Sequence, residues 1–337
     1  MSFPDHSLTL SVDQRIERIS TTIRTEEQRL RAKYPLLNYQ NAIGLLIMLV
    51  SLAGMIASAW LYYSEIIPAW LCIVCAAIFA SISHELEHDL IHRQYYRKNA
   101  VMQNMMLLVV WVMRPNTISP WYRRKMHFLH HKVSGTEQDL EERLVGNGLH
   151  YGWRRFLVMF DSFLGTLSQR AVLSAKVNTY STKELLIAAF PFALFHFACW
   201  YLFLFLHGYD AIVGGALLRT ELLVDMTGVI NFLVVVLIAP NILRSASLNF
   251  VTSSMHYYGG VTHLIQQTQI LKPWFFAPLH LFCFNFGSTH SIHHFVIGQP
   301  FYIRQLLAKV AHKVMIENGV RFNDFGAFNR ANAYRDA

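Results

Sequence analysis

Apolar residues in this chain of 337 gather into long runs instead of alternating with polar ones, and the runs set the expected architecture. A helix needs about 20 apolar residues to cross a bilayer. Residues 42–63 (AIGLLIMLVSLAGMIASAWLYY) have that length, and residues 66–83 (IIPAWLCIVCAAIFASIS) follow almost at once, which predicts a helical hairpin. A third span is predicted at 185–206, bent at Pro191, and a fourth at 226–243, interrupted by Pro240 and Asn241. The expected fold is therefore an all-α membrane protein, with four transmembrane helices in two hairpins. Apolar stretches at 100–113 and 273–287 are too short to cross and read as interfacial or re-entrant pieces. Upstream, residues 12–33 have helical periodicity, with Ile16, Ile19, Ile23 and Leu30 on one side. Such a helix fits a membrane surface and a solvated cap equally well. The chain thus divides into an amphipathic segment, 1–40, and a membrane-embedded unit, 41–337.

Composition narrows the class further. Only 15% of residues are charged, against about 25% in soluble domains, so the chain lacks the polar surface of a soluble protein. Aromatic residues at 14% argue against disorder. No signal peptide is expected, because the first 40 residues hold no apolar core. Cys72, Cys75, Cys199 and Cys283 all lie inside apolar runs and read as packing residues. With 1–41, 84–184 and 244–337 on one side of the membrane, 28 of the 29 Lys and Arg residues share that side; Arg219 alone lies opposite, in 207–225. The positive-inside rule then makes both termini and both large loops cytoplasmic. Topology and anionic lipid account for the net charge of +8, and no nucleic-acid partner is needed.

Histidine carries the chemistry. His84, His88 and His92 stand at equal four-residue spacing just after the second span, where one helix face can present them together. His127, His130 and His131 form a His-x-x-His-His box in the following loop, and His290, His293 and His294 form a second one. His256 follows the fourth span. In a chain with 17 His, one such box is expected by chance about 0.04 times, so two boxes are not noise. Within a box the first and fourth residues share a helical face and the fifth is rotated by about 100°, so one box can serve two adjacent cations. Neutral imidazole suits Fe, Cu, Zn and Ni. Zinc fits less well, since it prefers about four ligands. His6, His150, His196, His207, His263, His280 and His312 lack partners at ligand spacing and read as structural. Asp139, Glu85 and Glu87 are candidate acceptors for an imidazole N–H. Glu141-Glu142-Arg143 reads instead as a solvated helix turn. Arg123-Arg124-Lys125 reads as a membrane-surface basic patch, with a substrate carboxylate or an electron-donor protein as the other candidates.

These boxes, with spans in two hairpins, resemble the integral-membrane fatty acid desaturase and hydroxylase superfamily over most of 40–300. The resemblance implies a cytoplasmic helical cap whose boxes hold two non-haem irons. It also implies O2 as co-substrate and attack on an unactivated C–H bond of an acyl or alkyl chain. His256 stands where an additional ligand should be, and its His256-Tyr-Tyr-Gly segment is similar to that of membrane alkane hydroxylases. Two departures stand out. The first box offers three His instead of two, so the metal-binding pair among His84, His88 and His92 is open. Thr252 occupies the position where related desaturases hold a water with Asn, which leaves Asn249 as the candidate for that role from another turn.

Fatty acid desaturation is the first reading. Decarboxylation of a free fatty acid to a terminal alkene and hydroxylation are the alternatives, and a metal transporter or sensor is a remote one. No haem, flavin or iron–sulfur motif is visible, so the expected electron donor is a separate ferredoxin or cytochrome with its NAD(P)H reductase. The compact length fits an enzyme of a bacterial inner membrane.

Overall fold

A computed structural model describes residues 10–214 and 221–335; His6, Arg219 and the first nine residues of the predicted amphipathic segment lie outside them. The described residues are helical, without a strand; the only extended pairings are isolated bridges at His256–Thr268 and Ile270–Phe322.

Four helical segments are long and apolar enough to span a membrane: α2 (Gln40–Tyr63), α3 (Ala69–Ile91), α10 (Phe192–Val213) and a fourth running from Glu221 to Met255. Leu46, Leu49 and Ile56 on α2, and Phe195, Phe205 and Ile212 on α10, point outward with no protein cover. An apolar belt of that kind belongs in lipid. α2 packs along α3, whose last two turns run past the apolar stretch and become buried on every side.

Two spans differ from expectation. The third starts at Phe192 instead of 185, because the chain breaks at Pro191: the short helix α9 (Thr182–Ala189) ends first, and Phe190 is extended. Proline lacks the N–H for a continuing helix and disfavours helical backbone in the residue before it. The fourth is not interrupted at Pro240. α11 (Glu221–Leu233) leads through a π-helical turn at Val234–Ile238 into α12 (Ala239–Met255). The wider turn accommodates the proline, and Asn241 Nδ2 donates to Leu237 O and Met113 O, satisfying carbonyls near the disturbance. The two helices therefore extend well into the predicted 207–225 loop.

The remaining helices build a cap at the histidine-bearing end. They are α4 (Ala100–Met113), α5 (Pro120–Val133), α6 (Leu140–Leu144), α7 (Trp153–Phe160), α8 (Ser162–Lys176), α13 (Ala277–Phe282), α14 (Phe286–Phe295), α15 (Phe301–Glu317) and α16 (Gly326–Asn329). The N-terminal helix α1 (Val12–Lys33) starts at a Ser11–Gln14 capping box. Its apolar side does not face lipid: Ile19, Ile23 and Leu30 are buried in a cluster with Ile303, Leu307 and Met315.

Candidate metal centre

Four elements deliver the imidazoles. His84 and His88 sit on the buried end of α3, with His92 capping it; His127, His130 and His131 sit on α5; His256 caps α12; His290, His293 and His294 sit on α14. Helical spacing turns each set inward. The rings meet as two groups whose potential donor atoms lie within 4.8 Å of one another: His88, His92, His127 and His293, and His130, His256, His290 and His294. His131 adjoins the first group, its Nε2 being 3.1 Å from both His127 Nε2 and His293 Nε2. His84 belongs to neither group. Its Nδ1 accepts from Arg114 Nη1 at 3.3 Å, and its Nε2 has no hydrogen-bond partner among the described residues.

The hydrogen bonds around the rings bear on whether a cation fits. His127 Nδ1 is 2.7 Å from Glu141 Oε2, His130 Nδ1 2.9 Å from Asp139 Oδ2, and His294 Nδ1 3.0 Å from Gln267 Oε1. His256 Nδ1 lies 2.9 Å from Thr252 O, and Glu142 Oε1 is 3.3 Å away. An oxygen acceptor at Nδ1 fixes the hydrogen there and turns the Nε2 lone pair inward. His256 Nε2 and His294 Nε2 then face each other at 3.3 Å with no hydrogen between them. Opposed lone pairs in a buried site repel, and a cation between them removes the conflict; the donor set fits one. His293 differs, because Arg304 Nη1 donates to its Nδ1 at 3.2 Å. Its Nε2 lies 3.0 Å from that of His92 and 3.1 Å from that of His131.

Protonation favours ligation at most positions. Burial drives His127, His290, His293 and His294 well below the usual imidazole range and His256 to about 3, so these rings are neutral near pH 7. Burial also pushes His130 down, but Asp139 beside it, with Glu141 and Glu142, reverses the effect and raises it to about 9. Burial pushes Glu142 up from the usual carboxylate range, and its Oε1 accepts from Thr252 Oγ1 at 2.9 Å.

Several supporting residues lie elsewhere than the sequence indicates. Glu141-Glu142-Arg143 is not a solvated turn: Glu142 and Arg143 are buried and Glu141 orients His127. These acids follow box two closely in a chain with only 21 acidic residues, and that clustering was the available signal. Arg123, in the predicted surface patch, has a side chain only 14% exposed, and its Nη1 bonds Glu87 Oε1 at 3.1 Å. Glu87 is clamped between Arg123 and Arg114, while Arg304 pairs with Glu85 at 3.2 Å and Asp89 at 3.4 Å. Glu85 thus reaches the rings only through an arginine. Asn249 directs its amide to Met159 O, at 3.0 Å, and Thr252 is the neighbour of His256. His196, read as structural, is buried with neither ring nitrogen hydrogen-bonded.

A cavity of about 480 Å³ opens against the rings. His84, His88, His127, His130 and His290 line one part, and Met126, Phe163, Leu167, Leu186, Leu194 and Phe197 line an apolar length between α5, α8, α9 and α10. Its largely apolar lining is of the kind that accepts a hydrocarbon chain. No curated protein matches the sequence. A family model described as Fatty acid desaturase matches residues 64–326, a stretch that holds all ten clustered histidines, and the chain belongs to that family.

Proposed function

We propose that this chain is an O2-dependent, membrane-embedded di-iron oxidase of fatty acyl chains, with desaturation as its reaction. One observation carries the reading: nine imidazoles from four separated segments converge as two groups beside an apolar cavity. On this reading His88, His92, His127, His131 and His293 hold one iron, and His130, His256, His290 and His294 hold the other. When bound, the irons supply O2 activation and the oxidising power needed for an unactivated C–H bond.

The chain's own residues do the rest. Glu141 and Asp139 hold hydrogens on His127 Nδ1 and His130 Nδ1, keeping each Nε2 turned inward. Thr252 O does the same for His256, with Glu142 beside it. The cavity wall excludes water and aligns the tail, and alignment decides which carbon reacts, because neighbouring methylenes barely differ in reactivity. Desaturation converts –CH2–CH2– with O2, two electrons and two protons into –CH=CH– and two waters. A separate ferredoxin or cytochrome with its NAD(P)H reductase supplies the electrons.

The orientation that fits the Lys and Arg distribution puts both termini and the histidine cap in the cytoplasm, in a bacterial inner membrane. The 41–337 unit is the catalytic body, with 1–40 a separate segment whose helix α1 packs onto it. The test incubates membranes containing the chain with a reductant system and a defined C12–C18 fatty acid or its thioester, followed by mass spectrometry. An O2-dependent product two hydrogens lighter is expected. Absence of any oxidised lipid, together with metal-ion flux across proteoliposomes, would instead mark a transporter.

A further inference from the structure

Arg244 is buried, 1% exposed, and lines the cavity without an acidic partner among the described residues. Its Nε donates to Asn241 Oδ1 at 3.3 Å and its Nη2 to Asn116 Oδ1 at 2.9 Å, both neutral amide oxygens. Its Nη1 makes no hydrogen bond within the described residues. The neighbouring cations do have acids. Arg114 and Arg123 share Glu87, and Arg123 Nε lies 3.5 Å from Glu141 Oε1. Glu141 Oε2 is taken by His127. Three guanidinium groups therefore meet two carboxylates, and the surplus positive charge faces the cavity. A buried charge without a partner is expensive, so the site calls for an anion.

Its location says which anion. Asn116, which holds Arg244, lies two residues beyond Arg114, and Arg114 contacts His84. His84 precedes His88 by one turn of α3, a rise of about 6 Å. The unpaired cation thus sits within reach of the histidine end of the cavity, on a wall it shares with His84 and His88. The other unpaired cation on the cavity wall, Arg170, is exposed. A head group at Arg170 would bring mid-chain methylenes to the rings. A head group at Arg244 would bring the first carbons there.

We propose that Arg244, assisted by Arg123, binds the carboxylate of a free fatty acid, carboxyl end innermost, so that oxidation falls at C2 or C3. This rests on the fatty acyl reading above and narrows its substrate to the unesterified acid. The reactions open at these carbons each use one O2 and two external electrons. Desaturation there gives the 2-enoic acid and two waters, and hydroxylation gives a 2- or 3-hydroxy acid and one water. Loss of a C3 hydrogen with cleavage of the C1–C2 bond converts R–CH2–CH2–COOH, with O2, two electrons and two protons, into R–CH=CH2, CO2 and two waters.

The test measures binding, apart from turnover. The purified full chain is titrated with dodecanoate, methyl dodecanoate and dodecanoyl-CoA, with thermal stabilisation as the readout. Dodecanoate is expected to bind at least tenfold more tightly than the methyl ester and more tightly than the thioester. Arg244→Gln should remove that preference while leaving the ester's affinity in place, Arg244→Lys should retain part of it, and Arg170→Ala should cost less than Arg244→Gln. Equal binding of acid and ester, tighter binding of the thioester, or a larger loss in Arg170→Ala would overturn the proposal. If Arg244→Gln does not fold, the acid-to-ester ratio on the unaltered chain decides. Acid preference without iron or O2-dependent product would defeat the oxidase reading alone; mid-chain product without acid preference would defeat only this one.

Discussion

The two histidine groups are built differently. His130, His256, His290 and His294 are all buried, and three of them have an oxygen acceptor at Nδ1, from Asp139, Thr252 and Gln267. In the other group His92 and the adjoining His131 are only half-buried, and the exposed ring of Phe128 lies 5.4 Å from His92. That group has one carboxylate support, Glu141 at His127, and a cationic neighbour, Arg304 at His293. Dry surroundings and fixed tautomers make a strong site; a partly open one with a competing cation makes a weaker one, nearer to water. The contrast explains why one family motif, His-x-x-His-His, serves both groups: the fourth and fifth positions of each box split between them, His130 and His294 to the closed group, His131 and His293 to the open one.

The largest effect should come from the rings themselves. His256→Ala or His130→Ala should remove iron from the closed group and abolish turnover, whereas His92→Ala should lose iron from the open group first. Metal analysis after dialysis against a chelator reads the difference, and an equal loss from all three variants would erase the distinction between the groups. Next comes the support beneath a ring. Asp139→Asn should weaken iron binding at the closed group by about 10–100-fold, measured by chelator competition. Glu141→Gln should cost the open group less, about tenfold, since that group is already partly open to solvent. If Glu141→Gln proved the more damaging, the ranking of the two sites would be reversed. The smallest effect belongs to His84→Ala, which should leave the iron content of both groups as it was, because His84 lies in neither group. Loss of iron in that variant would return His84 to the ligand set.

Much of this was legible in the linear pattern. Hydropathy located four spans, because a bilayer demands one length of apolar helix, and histidine spacing located the rings, but within each box the first and fifth residues share a group and the fourth joins the other, where the first and fourth were expected together. Span ends were harder to read. Pro191 and Pro240 look alike in sequence, yet one starts a helix and the other is absorbed by a π turn; the outcome depends on neighbours such as Asn241 that can satisfy the displaced carbonyls. His84 could not be told from His88 by spacing, since the distinguishing partner, Arg114, sits 30 residues away. Gln267 escaped for the same reason, 27 residues from His294, whereas Glu141 and Arg304 stand only 14 and 11 residues from their rings and are brought back to them by turns that spacing alone does not disclose. Burial of the Glu141–Arg143 turn likewise depends on α6 being enclosed by the cap, which its local polarity does not disclose.

The central claim is that the converging rings hold a pair of irons, and counting bound metal tests it most directly. The chain, purified from iron-supplemented cells and passed through a desalting column, should carry close to two irons per polypeptide, one for each histidine group. Mössbauer spectra should show nitrogen-rich sites. A preparation that stays catalytically active while binding a single zinc, or no metal at all, would contradict the account.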